Sequence, residues 1–154
     1  CIYRKSNNIF IDKFIQKVRN DLGNYTPKGD KGAKKIFLWL RKGKSVALLM
    51  DQKLNEGEKV DFLGKPAYTA TAVAELAIRM NLDIVPIKVL RKNINFTEIE
   101  FSNKVQMPNK SISHNERVTL ILKKINFQIS KWIKKDPEQW LWIHRRWPKS
   151  IYKK

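Results

Sequence analysis

Cysteine is nearly missing from this chain: one residue, Cys1, in 154. A lone thiol forms no internal disulfide and supplies no multi-thiolate metal site, and it fits a reducing compartment. Histidine is almost as scarce, with His114 and His144 alone. No set of His, Cys and carboxylate residues has the spacing of a metal centre. Long apolar runs are lacking too: no stretch approaches the roughly 20 residues that cross a bilayer, and no secretory signal pattern opens the chain. No Gly-x-Ser-x-Gly turn offers a serine nucleophile. The stretch from Gly29 to Gly32 is too short for a nucleotide loop and lacks Gly-Lys-Ser/Thr. Acids are few, with 14 Asp and Glu against 32 Lys and Arg, a formal charge of +18. That field draws polyanions: nucleic acid, an anionic membrane surface, a phosphorylated glycolipid or an acidic carrier protein. A bias towards Lys, Asn and Ile in base composition accounts for part of the excess.

What is present suffices for one ordinary domain with a core: 154 residues, 42% of them hydrophobic. A chain opening on Cys rather than Met is read as a fragment or a processed product. Residues 1–4 read as the end of a strand. Residues 9–22 place Ile11, Phe14, Ile15, Val18 and Leu22 on one helical face, with Gly23 as the stop. A second helix is expected from about Lys31, with Ala33, Ile36, Phe37 and Leu40 inward and Gly43 at its end. The run at 45–50, SVALLM, reads as a buried strand that delivers Asp51 and Gln52 at its tip. Residues 55–65 read as a polar loop, 69–80 as a helix, and 84–90 and 94–101 as strands. Ser113 and Glu116 form a Ser-x-x-Glu capping box for a long helix ending near Lys135. The order β-α-α-β-α-β-β-α implies an α/β layered fold with a mixed, mostly parallel sheet flanked by helices, incomplete at its N-terminus.

Two strand ends stand out chemically. Asp51 sits where a buried strand meets a loop, the usual ligand edge of an open α/β sheet. It either serves a site or caps a turn and pairs with a structural arginine. Arg4 follows its own strand in the same way, and its planar fork suits either a bound phosphate or carboxylate or an internal ion pair with Asp51. Of the two histidines, His114 reads as a surface residue at the start of the long helix. His144 lies in the tail Trp140-Leu141-Trp142-Ile143-His144-Arg145-Arg146-Trp147. There the tryptophans read as a structural lock. The arginines read as functional, because two adjacent cations are costly to bury unpaired.

Several segments, in order, resemble the lipid A biosynthesis acyltransferase family, the lauroyl- and myristoyl-transferring enzymes. They are Tyr3-Arg4 with Asn8 and Phe10-Ile11-Asp12, Lys28 with Gly32-Ala33, and Asp51-Gln52. Further on come Phe62, Gly64, Ala67, Thr69 and Thr71, then Val85-Pro86. The most specific is Pro137-Glu-Gln-Trp-x-Trp-x-His-Arg-Arg146. The resemblance implies a fold like that of the glycerolipid acyltransferases, of which residues 1–154 are the C-terminal part of a single acyltransferase domain. It implies direct transfer of a fatty acyl chain from the thioester of acyl carrier protein to a hydroxyl or hydroxyacyl group of a lipid A precursor. No metal or other cofactor is called for. An acyl-CoA donor on a related glycolipid acyltransferase is the neighbouring alternative, and a basic nucleic-acid-binding module the more distant one. The implied partners are acyl carrier protein, the lipid A precursor and an anionic membrane surface, with no nucleic acid. The implied place is the cytoplasmic face of the bacterial inner membrane.

By the same resemblance Arg4 and Asp51 belong to the catalytic centre. Arg4 binds an acceptor phosphate or steadies the reacting centre, and Asn8 supports it. Gln52, Thr69 and Thr71 line the substrate side, while His144, Arg145 and Arg146 close the cleft or meet headgroups. One departure matters. The family's general base belongs to a His-x-x-x-x-Asp/Glu motif, yet Thr119 stands at that spacing from His114 and Lys149 from His144. The motif is expected ahead of Cys1, together with a membrane anchor. Such a base contributes about 10² to 10⁴ in rate, so residues 1–154 alone are expected to show no transfer.

Overall fold

The computed structural model describes residues 2–3, 6–20, 26–27, 30–142 and 145–152. The chain divides into two compact units, Cys1–Leu49 and Met50–Lys154.

In the first unit, strands β1 (Ile2–Tyr3) and β2 (Thr26–Pro27) pair in parallel, around helix α1 (Ile9–Asn20) and ahead of helix α2 (Asp30–Arg41). Asn8 starts α1: its side-chain oxygen accepts from the N–H groups of Phe10 at 2.9 Å and Ile11 at 3.2 Å. That is the N-cap role which short polar side chains fill best. α1 then turns over relative to expectation. Its polar residue Asp12 is buried and holds the Ser6 N–H at 3.0 Å, while Phe10, Ile11, Phe14 and Val18 are exposed. Of the residues expected inward on α2, Ile36 is buried and Ala33 is exposed. The end of α2 follows the prediction closely. Gly43 adopts φ +70°, its N–H reaches Leu40 O at 3.0 Å, and the Lys44 N–H reaches Trp39 O at 3.0 Å. These two bonds make a Schellman cap, which needs a left-handed residue where Gly43 stands. Leu22 and Gly23 lie outside the described residues.

The second unit holds strands β3 (Glu58–Phe62), β4 (Lys65–Thr69), β5 (Ile87–Arg91) and β6 (Thr97–Phe101), with helices α3 (Ala72–Met80) and α4 (His114–Lys135). β3 and β4 are antiparallel, as are β5 and β6. The mostly parallel sheet read from the element order is therefore corrected. The fold is mixed α/β, and among the described residues only the short β1–β2 pairing is parallel. Turn chemistry explains this. Leu63 and Gly64 join β3 to β4 with φ of 54° and 80°, the pair of positive values that a two-residue type I′ hairpin demands. Residues 92–96 are likewise too few for a parallel crossover, which needs a dozen or more. The polar loop expected at 55–65 is thus mostly hairpin, and the strand expected at 45–50 is irregular, with Leu49 69% exposed.

α4 begins as predicted. The Ser113 side chain accepts from the Glu116 N–H, and the Glu116 side chain accepts from the Ser113 N–H. Its inward stripe of Val118, Ile121, Leu122 and Ile125 packs on Val60, Ala74 and Val105. A second cluster gathers Phe62, Ala67 and Trp147, joined by Ile129, Ile133 and Trp140. The β5–β6 hairpin is fastened by polar clamps. Lys88 is buried against Asp136, and the Gln139 amide bonds both the N–H and the C=O of Arg91.

Candidate active site

Strands β3 and β4 alternate, so Val60, Phe62, Ala67 and Thr69 all point inward. Thr69 is fully buried, and its hydroxyl is the meeting point of the second unit. It accepts from Arg146 Nη2 at 2.8 Å and from Asn126 Nδ2 at 3.0 Å, and it donates to Ala67 O at 3.4 Å. Arg146 also donates to Tyr68 O at 2.6 Å, and its guanidinium lies 4.4 Å from the centre of the Phe62 ring. Burial brings this guanidinium below its ordinary value, to about 10, while the nearby Asp51 carboxylate acts in the opposite sense.

α4 reaches the hairpin through two polar residues in its otherwise apolar stripe. Asn126 gives its second amide hydrogen to Asp61 O at 2.9 Å, and Ser130, one turn on, accepts from the Leu63 N–H at 3.1 Å. Arg146 Nε and Asn126 Oδ1 are buried without a hydrogen-bond partner among the described residues.

The tail is held by its aromatics. Trp147 Nε1 donates to Phe62 O at 3.1 Å, and Trp140 Nε1 donates to the Asp51 carboxylate at 3.2 Å. Trp140 and Trp142 stack with ring centres 5.4 Å apart, and Trp147 meets Trp142 edge-on at 5.3 Å. Asp51 thus keeps a half-buried carboxylate beside an indole donor, close enough to Arg146 to be felt electrostatically. Such a group orients a donor.

The structure bonds Thr69 to Arg146 and Asp51 to Trp140, with the Asp51 carboxylate near enough to Arg146 to be felt. Other expected site residues have engagements of their own. Asn8 is engaged in capping α1. Thr71 precedes α3 and makes no side-chain cap bond. Gln52 is exposed, and so is Arg145, which lies 5.8 Å from the Tyr152 ring. Arg146 is 1% exposed, so its role here is that of an anchor. Hydrogen bonds to Tyr68 O and Thr69 Oγ1 compensate its burial. Arg4 and His144 lie outside the described residues. His114 sits at the surface, as expected, with Nε2 2.9 Å from Glu75 Oε2. Among the described residues no three His, Cys, Asp or Glu side chains gather as metal ligands. No helix there is long and apolar enough to cross a membrane.

Asn126 and Ser130 went unnoticed in the sequence. The available signal was a polar residue at the i+4 position of an apolar stripe (Leu122, then Asn126, then Ser130), where solvent does not reach.

Against known proteins, a family profile described as bacterial lipid A biosynthesis acyltransferase matches residues 1–149. A search of individually curated proteins returned no match.

Proposed function

The chain belongs to the bacterial lipid A biosynthesis acyltransferase family, and from that premise we propose that it supplies the binding and positioning wall of an enzyme that acylates a lipid A precursor. The donor in this reading is the thioester of acyl carrier protein. The acceptor hydroxyl attacks the thioester carbonyl, a C–O bond forms, the C–S bond breaks, and the departing thiolate takes up a proton. The general base comes from a His-x-x-x-x-Asp/Glu motif, which residues 1–154 do not contain. The site is the membrane-proximal cytoplasmic side, where both an acidic carrier protein and a phosphorylated lipid are attracted to a net charge of +18.

The observation that carries this reading is the family match over residues 1–149. Convergence supports it: two tail residues reach two other motifs, Trp140 donating to Asp51 and Arg146 to Thr69. Asp51 completes the polar wall of the site, with Trp140 fixing its orientation. Arg4 meets the acceptor phosphate. Asn8 acts through α1, whose first turn it sets. Gln52, Thr71, His144 and Arg145 border the substrate side, while Thr69 and Arg146 hold the tail in place.

The test uses a chain in which residues 1–154 follow the His-x-x-x-x-Asp/Glu motif. There, Asp51→Ala should lower acyl transfer from acyl carrier protein by about 10² or more while the unfolding midpoint moves little. Full activity in that variant would sink the assignment. Residues 1–154 by themselves should bind acyl carrier protein in preference to nucleic acid. Equal or stronger binding to nucleic acid would favour the binding-module alternative.

A further inference from the structure

α1 presents the wrong side to solvent for a helix packed in a soluble protein. Phe10, Phe14, Ile11 and Val18 are 78%, 69%, 51% and 49% exposed. At 3.6 residues per turn these four fall on one continuous arc. Lys13 and Lys17, both exposed and one turn apart, run along the border of that arc beside Phe10. The one carboxylate of the helix, Asp12, is turned inward, buried against the Ser6 N–H and the Gln16 amide. The outward surface of α1 therefore combines phenylalanines, aliphatics and lysines with no acid.

We propose that this face of α1 lies flat in the headgroup zone of an anionic bilayer, with Phe10 and Phe14 among the acyl chains and Lys13 and Lys17 at the phosphates. A short helix with a wide apolar arc and flanking lysines has the composition that partitions to such interfaces. Charge complementarity favours lipid further, since the chain carries +18. The choice of lipid over a protein occupant rests on the reading of the chain as a lipid acyltransferase, whose acceptor resides in the membrane. A helix of this length covers roughly 18 Å of bilayer surface, at the Asn8 end of the first unit.

Flotation of the full 154-residue chain with vesicles tests this, comparing phosphatidylglycerol-rich with pure phosphatidylcholine vesicles at low salt. All substituted residues are exposed, and circular dichroism checks that each variant is folded. The pair Lys13→Gln and Lys17→Gln should weaken binding to the anionic vesicles about 30-fold and leave neutral vesicles unaffected. The pair Phe10→Ser and Phe14→Ser should weaken both. A control pair on the other exposed apolar loop, Ile94→Ser and Phe96→Ser, should bind like the parent.

Several results would overturn the proposal: no vesicle binding by the parent, undiminished binding by the α1 variants, or loss confined to the Ile94/Phe96 pair. It also fails if the phenylalanine pair instead abolishes a dimer seen by sedimentation, making a second copy the occupant. Loss of vesicle binding by the α1 variants alone, together with full activity of Asp51→Ala, would leave the docking face standing and remove the site assignment. The reverse pattern would do the opposite.

Discussion

Replacing Thr69 by Val keeps the shape of the side chain and deletes one oxygen. That oxygen receives a charged donor, Arg146 Nη2 at 2.8 Å, and a neutral one, Asn126 Nδ2 at 3.0 Å. A bond to a charged group is worth about 1.5–3 kcal/mol and a neutral one about 1 kcal/mol. Both donors would be stranded where Thr69 is 0% exposed, so the expected loss is about 3 kcal/mol. Thr69→Ser is the control. It keeps the hydroxyl and removes a methyl, for about 1 kcal/mol. Hydrophobicity alone ranks the variants the other way, with Val the better core residue. Thermal unfolding followed by tryptophan fluorescence suits the question, because Trp140, Trp142 and Trp147 surround the network. At about 2–4 °C per kcal/mol for a chain of this size, Val should lower the midpoint by about 6–12 °C and Ser by about 2–4 °C. A Val variant as stable as the Ser variant would refute the claim that this hydroxyl holds the tail.

Two further predictions follow from the loops and caps. A Cβ on Gly57 would sit 2.2 Å from Thr69 O, so Gly57→Ala should cost about 2 kcal/mol or more, and combined with Thr69→Val it should cost less than the sum of the two in denaturant titrations. The Ser113 hydroxyl and N–H hold the Glu116 carboxyl below its usual range, so its stabilising effect is present above the ordinary value of 4.5 and fades as pH falls through the lowered one. Urea midpoints should therefore favour the parent over Glu116→Gln at neutral pH and converge once the pH has fallen below the lowered value. A gap that persists in acid would contradict the capping account.

Where local chemistry dictates structure, the sequence was readable. The Ser113–Glu116 box and Gly43 each specify a backbone geometry within a few residues, and both ends formed as expected. The β3–β4 hairpin was missed because Leu63 occupies a turn position that usually advertises itself as Asn or Asp, leaving Gly64 as the one signal. In α1 the helical period was right and its orientation was not. Amphipathicity states that two faces differ, but which one turns inward was decided by Asp12 finding Ser6 and Gln16. Around the candidate site, the sequence did not show that Arg146 bonds Thr69 or that Trp140 bonds Asp51, nor that Asn126, outside every motif, adds a second donor to Thr69. Likewise, the burial of Arg146 was not legible, because the strand carbonyl and hydroxyl that compensate it are acceptors that no sequence pattern marks.

Apart from those made by the Thr69 hydroxyl and the Lys88 ammonium, four bonds between the tail, α4 and the two hairpins share an asymmetry. Arg146 grips Tyr68 through its carbonyl, Trp147 grips Phe62 the same way, Asn126 takes Asp61 O, and Gln139 takes the backbone of Arg91. The strands thus offer groups that every residue type possesses, and the helix and tail offer groups that few possess. Substitution is accordingly one-sided. Tyr68 or Arg91 can change identity without loosening these joints, whereas Asn126, Gln139, Arg146 and Trp147 have no substitute that reaches the same atoms.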